Sequence, residues 1–320
     1  MFSKIARLLS YLLESYIFVI LAALLAGLFF PSEAAAFAPY ATLFLQIIFF
    51  LSSLKMDAAE VLREARDTRL VAVFILLKLA ILPAAVFIVV GRIAPSLAVP
   101  LLLLAAMPSG MTSPLLAEVA GGKQSLAMVL TFASSLLAPF TIPVVISVFA
   151  RTAVTVDAFT MFIGLLKVII VPFAAAQIVR RFWHDRLKIT FFTFKPISIV
   201  LLGLLIAGAV AKQAGVISAN HWLRTLTLLA VLFVLGGAML FISYFLAWRR
   251  PCEDRLTVSV CLSFMNFVLA VYLAGSYFKD PAVLLTSVMV IFPWALLLWP
   301  FKYVVGRFVC PPHAPRQAKR

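Results

Sequence analysis

Pro108-Ser109-Gly110-Met111-Thr112-Ser113-Pro114 stands in the middle of an otherwise apolar run over residues 97–120. Two prolines remove two N–H donors and clash with the preceding turns, and the glycine permits dihedrals that other residues avoid. This pattern predicts a helix broken at mid-length. An opened backbone cannot face hydrocarbon, so it must be buried or line a watery cavity. Its freed N–H groups, the backbone of Gly110 and the hydroxyls of Ser109, Thr112 and Ser113 are then candidate donors to a ligand. Ser113-Pro114 is a favoured N-cap and first-turn pair. The downstream half-helix is expected to start there, with its positive dipole end toward the cavity, which suits an anion. The competing reading is a plain proline kink.

A second constellation is Leu262-Ser263-Phe264-Met265-Asn266-Phe267, within residues 255–278. Asn266 is its one strong polar group, and with Ser263 it is a candidate for the same ligand. A helix–helix hydrogen bond is the alternative for Asn266. Thr131, Ser134 and Ser135 lie at inward spacing on residues 124–148; hydroxyls so placed often only bind neighbouring helices.

Two lysines complete the chemistry. At 1.5 Å per residue, Lys78 lies about 12 Å inside its apolar segment and Lys167 about 16 Å inside its own. Charge at such depth is expensive and usually functional. Glu118 is the one acid within an apolar segment, and it lies near a segment end. Three fates are open to the lysines: pairing with an anionic substrate, neutrality through desolvation, or snorkelling and bonding to backbone carbonyls. A cavity role is expected for Lys78 first and for Lys167 second.

These groups must be held by membrane-crossing elements. The 320 residues are 64% hydrophobic and 12% charged, with a mean hydropathy of +1.13. A soluble domain has about 25% charged residues. Composition excludes a soluble globular, disordered or fibrous chain. It also excludes a nucleic-acid binder, because the +15 net charge is spread between apolar runs. Three cysteines are too few and too scattered for a disulfide framework or a metal site. Ten apolar segments are read at roughly 16–30, 39–54, 70–90, 97–120, 124–148, 156–179, 190–211, 222–247, 255–278 and 281–306. The expected fold is an all-α polytopic membrane protein with ten transmembrane helices, about 20 residues being needed per crossing. With both termini cytoplasmic, 20 of the 27 Lys and Arg fall on the cytoplasmic side and 5 outside, a strong positive-inside bias. Anionic membrane lipids are expected partners of this charge. Lys4, Arg7, the run 16–30 and Ala34-Ala35-Ala36 mimic a signal peptide; Glu14 and the long stretch before the run count against cleavage.

Five crossings per half require two copies inverted in the membrane, residues 1–150 and 151–320. Leu116-Ala117-Glu118-Val119-Ala120-Gly121 and Leu269-Ala270-Val271-Tyr272-Leu273-Ala274-Gly275 each follow an interruption, with Pro139 and Pro293 about 20 residues on. Chance similarity between Leu/Ala-rich helices competes with this repeat. Inverted repeats with broken helices mark secondary transporters, with the site at the midplane.

The chain resembles the bile acid:sodium symporter superfamily. The carriers are Phe50–Asp57, Lys78–Ala84, Pro108–Ser113, Thr131–Pro139 and Met265–Ala270. The resemblance implies a panel (crossings 1, 2, 6, 7) and a core (3–5, 8–10), with crossings 4 and 9 broken and crossing each other. It departs at the family's sodium ligands. Lys78 stands at a glutamine position, Ser113-Pro114 at a Ser-Asn pair, and Cys261 and Met265 at glutamate and glutamine positions. Thr131 and Ser135 remain as coupling hydroxyls beside Lys78. A hard cation with few oxygens and no carboxylate is poorly held. No metal site and no cofactor are therefore expected, sodium being doubtful, and the Lys78 ammonium is expected in the place of one sodium.

The leading expectation is a secondary transporter of a small organic anion by alternating access, proton-coupled or uncoupled. The alternatives are a non-transporting receptor or assembly protein, or an ordinary sodium-coupled bile-acid or carboxylate symporter. An enzyme is not expected: His184, His221 and His313 lie in loops or the tail, and no acid pair faces a cavity. An arsenite carrier rests on Cys261 alone, and ATP drive has no motif. The bacterial inner membrane is the expected location, and an oligomer is not required.

Overall fold

The computed structural model describes residues 16–56, 65, 67–150, 157–212, 214–215 and 222–308, with the side chains of 16–17, 183–192, 222–224 and 306–308 set aside. The chain termini and most of the loop after residue 56 lie outside them, so the expected sidedness of the termini and the signal-peptide question do too.

The described chain is helical throughout, with one isolated β-bridge and no strand among the described residues. The elements are α1 (Tyr16–Phe29), α2 (Ala41–Leu54), α3 (Thr68–Leu76), α4 (Leu82–Ile93), α5 (Pro95–Ala106), α6 (Ser113–Ala120) and α7 (Gln124–Phe149). They continue with α8 (Ala158–Leu165), α9 (Val171–Ala211), α10 (Trp222–Leu246), α11 (Cys252–Ser263), α12 (Phe267–Tyr277), α13 (Pro281–Met289) and α14 (Ile291–Phe308). Seven helical stretches among the described residues are long and apolar enough to cross a membrane. Large apolar side chains cover the outside, with Val234 73%, Phe182 72% and Trp299 66% exposed, as a hydrocarbon solvent permits. Cys261 is free and buried.

α9 is one element of 41 residues, yet it does not run straight. Ala176 and Phe194 share one small buried apolar cluster with Leu54. At the other end, Ala209 touches Gly275 while Gly164, just before α9, touches Tyr277. A straight helix would separate Ala176 and Phe194 by about 27 Å. The chain therefore doubles back between them, and residues 193–211 run beside 158–182 as a hairpin. This hairpin packs with α1 and α2. Small residues bring the backbones together: a methyl group on Gly27 would lie 2.8 Å from the Ala207 carbonyl oxygen, and one on Gly208 would lie 2.7 Å from the Ala38 nitrogen. Membrane helices associate by such close packing, since burial from lipid supplies no hydrophobic drive. Gln177 and Arg180 donate to the carbonyls of Ser53, Leu54 and Met56, so a cation from α9 closes the C-terminus of α2, where the helix dipole favours it.

A π turn joins α3 to α4 over Leu77–Ile81, and a second lies between α8 and α9 over Leu166–Ile170. The sequences are Leu77-Lys78-Leu79-Ala80-Ile81-Leu82-Pro83 and Leu166-Lys167-Val168-Ile169-Ile170-Val171-Pro172. Each proline lacks the N–H that would close a regular turn, and the widened turn ahead of it absorbs the defect. The two lysines end in opposite settings. Lys78 is fully buried. Lys167 is exposed, and its backbone carbonyl accepts from Gln46, so the cavity role expected of Lys167 is not met. Glu118 is exposed on α6.

α6 ends in a Schellman turn. Gly121 has φ +92°, and the N–H groups of Gly121 and Gly122 donate to the carbonyls of Glu118 and Ala117, which closes the helix end. Gly122 is needed for a different reason: a methyl group there would lie 2.6 Å from the Thr257 hydroxyl. The turn docks on the start of α11. The Lys123 N–H donates to Thr257 Oγ1 at 2.7 Å, and Lys123 Nζ pairs with Asp254 at 2.7 Å. That hydrogen bond to Asp254 holds the Lys123 pKa above the ordinary lysine value.

Candidate functional site

Two pairs of half-helices, α5–α6 and α11–α12, break at the same depth and meet. The segment between α5 and α6 runs antiparallel to the segment between α11 and α12, with Ser109 bridged to Met265. The Gly110 N–H donates to the Phe264 carbonyl at 2.8 Å, and the Asn266 N–H donates to the Pro108 carbonyl at 2.8 Å. The opened backbone groups of each break are thus satisfied by the other, as a low-dielectric interior requires. The simple kink is excluded for the 97–120 run, because Met107 leaves α5 in an extended conformation.

The C-terminus of α11 shows what the buried polar side chains do. Helix ends leave four carbonyls without intrahelical partners. Here the Val260 carbonyl accepts from the Phe264 N–H, the Cys261 carbonyl from Ser109 Oγ at 2.7 Å, and the Leu262 carbonyl from Lys78 Nζ at 2.8 Å. The Phe264 carbonyl takes a second donor, Ser113 Oγ, at 3.2 Å. Lys78 is therefore a C-terminal cap lent from the α3–α4 turn to α11, at the negative end of the helix dipole. Of its three possible fates it meets the third in part: it bonds a backbone carbonyl, but it is wholly buried rather than snorkelling to the surface.

Two expectations about the break are corrected. Ser113 does not cap α6: the helix begins at Ser113 itself, Thr112 holds the N-cap position without a side-chain bond, and Pro114 is one residue further in. The Ser113 hydroxyl is drawn instead to Phe264. Ser109 likewise spends its hydroxyl on Cys261 and its N–H on Ser134 Oγ at 3.2 Å, so neither serine donates to the cavity. Asn266 does cap: its Oδ1 accepts from the Leu269 N–H at 3.1 Å. That bond fixes the amide orientation and leaves Nδ2 buried with no acceptor. Thr131 Oγ1, Ser135 Oγ and Ser263 Oγ are buried without partners as well.

Two cavities flank the loop at Gly110–Thr112. One, of about 60 Å³, is lined by Gly110, Thr112, Asn266 and Met265 on the crossover side and by Ile48, Phe49, Ser52, Ser198 and Leu202 on the α2 and α9 side. The other, of about 20 Å³, holds Thr131 and Ser135 with Ser53 and Met111. Phe49 and Met111 belong to both. Lys78 and Ser263 line neither of these two. The sequence left a backbone carbonyl as one of three fates for Lys78 without saying which carbonyl; a helix broken without proline or glycine needs a donor at its C-terminus, and Leu262 is where Lys78 supplies it. No group of three metal-ligating side chains occurs among the described residues.

The family model described as sodium bile acid symporter family matches residues 42–220. The chain belongs to the sodium bile acid symporter family. Members of this family are transporters, not enzymes, so the chain is a membrane transport protein with helical spans and a small-molecule substrate. The chain is similar to YocS of Bacillus subtilis, named a sodium-dependent transporter, at 26% identity over 82% of this chain and 82% of that one. It is also similar to the chloroplastic BASS1 of Arabidopsis thaliana, named a probable sodium/metabolite cotransporter, at 25% identity over 64% of this chain and 51% of the relative. Oryza sativa BASS1 matches at 24% identity over 57% of this chain and 44% of the relative. This sodium bile acid symporter family member keeps the broken-helix crossing that its resemblance implied.

Proposed function

We propose that this protein is a secondary transporter of a small organic anion, working by alternating access, in which the Lys78 ammonium takes the place of a coupling sodium. One observation carries the reading: Lys78 is fully buried and bonds the Leu262 carbonyl at 2.8 Å, at the crossing of two broken helices. A cation is thus provided to that carbonyl by the chain itself. With Cys261 and Met265 in place of a carboxylate and an amide, a free sodium ion has too few hard oxygens there.

The anion is assigned to the 60 Å³ cavity. Asn266 Nδ2 is a buried donor without an acceptor, and an orphaned donor costs free energy until a ligand oxygen reaches it. The N-termini of α6 and α12 converge on the same place, adding positive potential. Gly110 and Thr112 line the crossover side with it. Thr131 and Ser135, in the neighbouring cavity, are assigned to coupling with Lys78. Ser109 and Ser113 hold the crossover together rather than the ligand, and the Ser263 hydroxyl, unpartnered and lining neither cavity, is given no part in either.

The wider architecture belongs to the same proposal. The seven long stretches, α1 and the two broken pairs make ten crossings. Ser113 and Phe267 begin the second half-helices, Gly121 and Gly275 stand at the same distance from those starts (the first just past α6, the second within α12), and Pro139 and Pro293 come next in the same register. The reciprocal pairing at Ser109 and Met265 fits two inverted five-crossing repeats, residues 1–150 and 151–320. α1, α2, α8 and α9 form the panel against which the remaining helices rock. Both termini are assigned to the cytoplasm by the charge bias, and a bacterial inner membrane suits the B. subtilis relative.

The reading is tested by thermal-shift screening of carboxylates and sulfonates, followed by uptake of any hit into proteoliposomes with sodium or with potassium. The expected result is uptake at equal rates in the two salts. Uptake that needs sodium would overturn the coupling assignment, and binding without uptake would make the protein a receptor. Asn266→Asp tests the site itself. It keeps the Oδ1 cap and replaces the free donor by an acceptor of like charge, so affinity for the anion should fall at least tenfold, about 1.4 kcal/mol; unchanged affinity removes Asn266 from the site.

A further inference from the structure

A third cavity, of about 550 Å³, lies away from the crossover, between α3 and α10. Leu70, Val73, Phe74 and Leu77 line it at the spacing of one helix face. Leu246, Ala247 and Val258 form the opposite wall. Asp67, Arg69, Trp248, Arg249 and Arg250 ring one end, where α3 starts and α10 finishes. The cleft is open to the outside of the helix bundle: Val73 is 48%, Leu246 57% and Trp248 64% exposed. Its volume is that of a small-molecule site.

The charges at the mouth are not balanced. Asp67 is taken by Arg250, with which it forms an ion pair and a hydrogen bond. Arg249 lies over the Trp248 ring at 5.0 Å. Arg69 has no ion-pair partner among the described residues. Among the described residues, two guanidinium groups therefore stand without an ion-pair partner at the rim of an apolar slot open to the outside of the bundle. Guanidinium forks match phosphate oxygens two at a time, and tryptophan favours the depth of the head groups. Basic pockets between membrane helices hold anionic head groups by this combination.

We propose that this cleft binds one anionic phospholipid, its phosphate between Arg69 and Arg249 and one acyl chain along the Leu70–Leu77 face of α3. A free phosphate ester lacks the acyl chain that the apolar walls recognise, and a zwitterionic lipid offsets its phosphate with a choline. The site is separate from the anion cavity at the crossover and does not depend on what is transported.

The experiment is native mass spectrometry of the full-length protein in detergent, titrated with dioleoylphosphatidylglycerol or dioleoylphosphatidylcholine. The expected result is a retained one-to-one phosphatidylglycerol adduct and little phosphatidylcholine. Arg69→Gln/Arg249→Gln should reduce the phosphatidylglycerol adduct about tenfold or more. Val73→Trp fills the slot without touching the charges and should reduce it as well, so it decides the matter if the double variant fails to elute as a folded species. Lys279→Gln, in the turn between α12 and α13, should leave the adduct unchanged. Equal retention of the two lipids, retention by Val73→Trp at the parent level, or displacement by glycerol phosphate at millimolar concentration would each overturn the assignment.

Discussion

Lys78→Met should slow transport at least tenfold while changing the melting temperature little. Two terms oppose each other in stability. Removing a fully buried ammonium recovers desolvation that amounts to several kcal/mol for an ion in a protein interior. It also leaves the Leu262 carbonyl without its donor, which costs about 1–3 kcal/mol, and it removes the cation from the negative end of α11. Transport has no such compensation, because the crossover must hold its shape while the helices around it move. Unaltered uptake by Lys78→Met would show that the ammonium is only a packing element. The converse variant, Lys78→Gln with Cys261→Glu and Met265→Gln, restores the residue types that the family resemblance implies. Its melting temperature and uptake should rise with sodium and not with potassium, whereas the parent should respond to neither.

Gly110→Val should abolish transport and destabilise the fold by about 1–3 kcal/mol, the ordinary cost of overpacking. The φ angle of Gly110 is not positive, since Gly121 is the positive-φ glycine, so backbone strain is not the cause. A methyl group at Gly110 would stand 3.0 Å from the Met265 carbonyl oxygen and 3.4 Å from its carbon. Those atoms are backbone, and they belong to the strand-like bridge between the two breaks, so they have nowhere soft to move. Valine adds two further carbons and parts the Gly110–Phe264 hydrogen bond. Gly91→Ala is the control: its methyl group would meet only Ala98 Cβ, at 3.9 Å, and within α4 alanine is the better helix former. Thermal unfolding and uptake on both variants check this, and equal behaviour of the two would refute the steric account.

The break at Pro108–Pro114 could be read from the chain because proline and glycine act locally. The break near Asn266 was harder, since nothing around it forbids a helix. What opens α11 from α12 is the pairing of Phe264 and Asn266 with Gly110 and Pro108, a partner more than 150 residues away. The wrong assignments share that origin. Ser113 has the side chain of a good N-cap, but a carbonyl from another segment lies within its reach. Lys78 and Lys167 sit in nearly matching sequences and both lie second in a π turn, so their local signals are alike. Only the neighbours differ: the C-terminus of α11 buries one lysine, and the other remains on the surface. Helical spans and the charge bias were legible because solvent imposes them on each segment separately, whereas the roles of polar side chains depend on contacts between segments.

The lysine tether at Leu262 has an electrical consequence. A sodium ion that enters and leaves with its cargo cancels the charge of an anion and lends it the ion gradient. An ammonium bound covalently to the chain can do neither, so a carrier built this way moves a monoanion as a current. Across 100 mV, negative inside, that charge is worth about 2.3 kcal/mol, close to a fiftyfold bias toward exit. Voltage rather than salt would then decide the direction of flow.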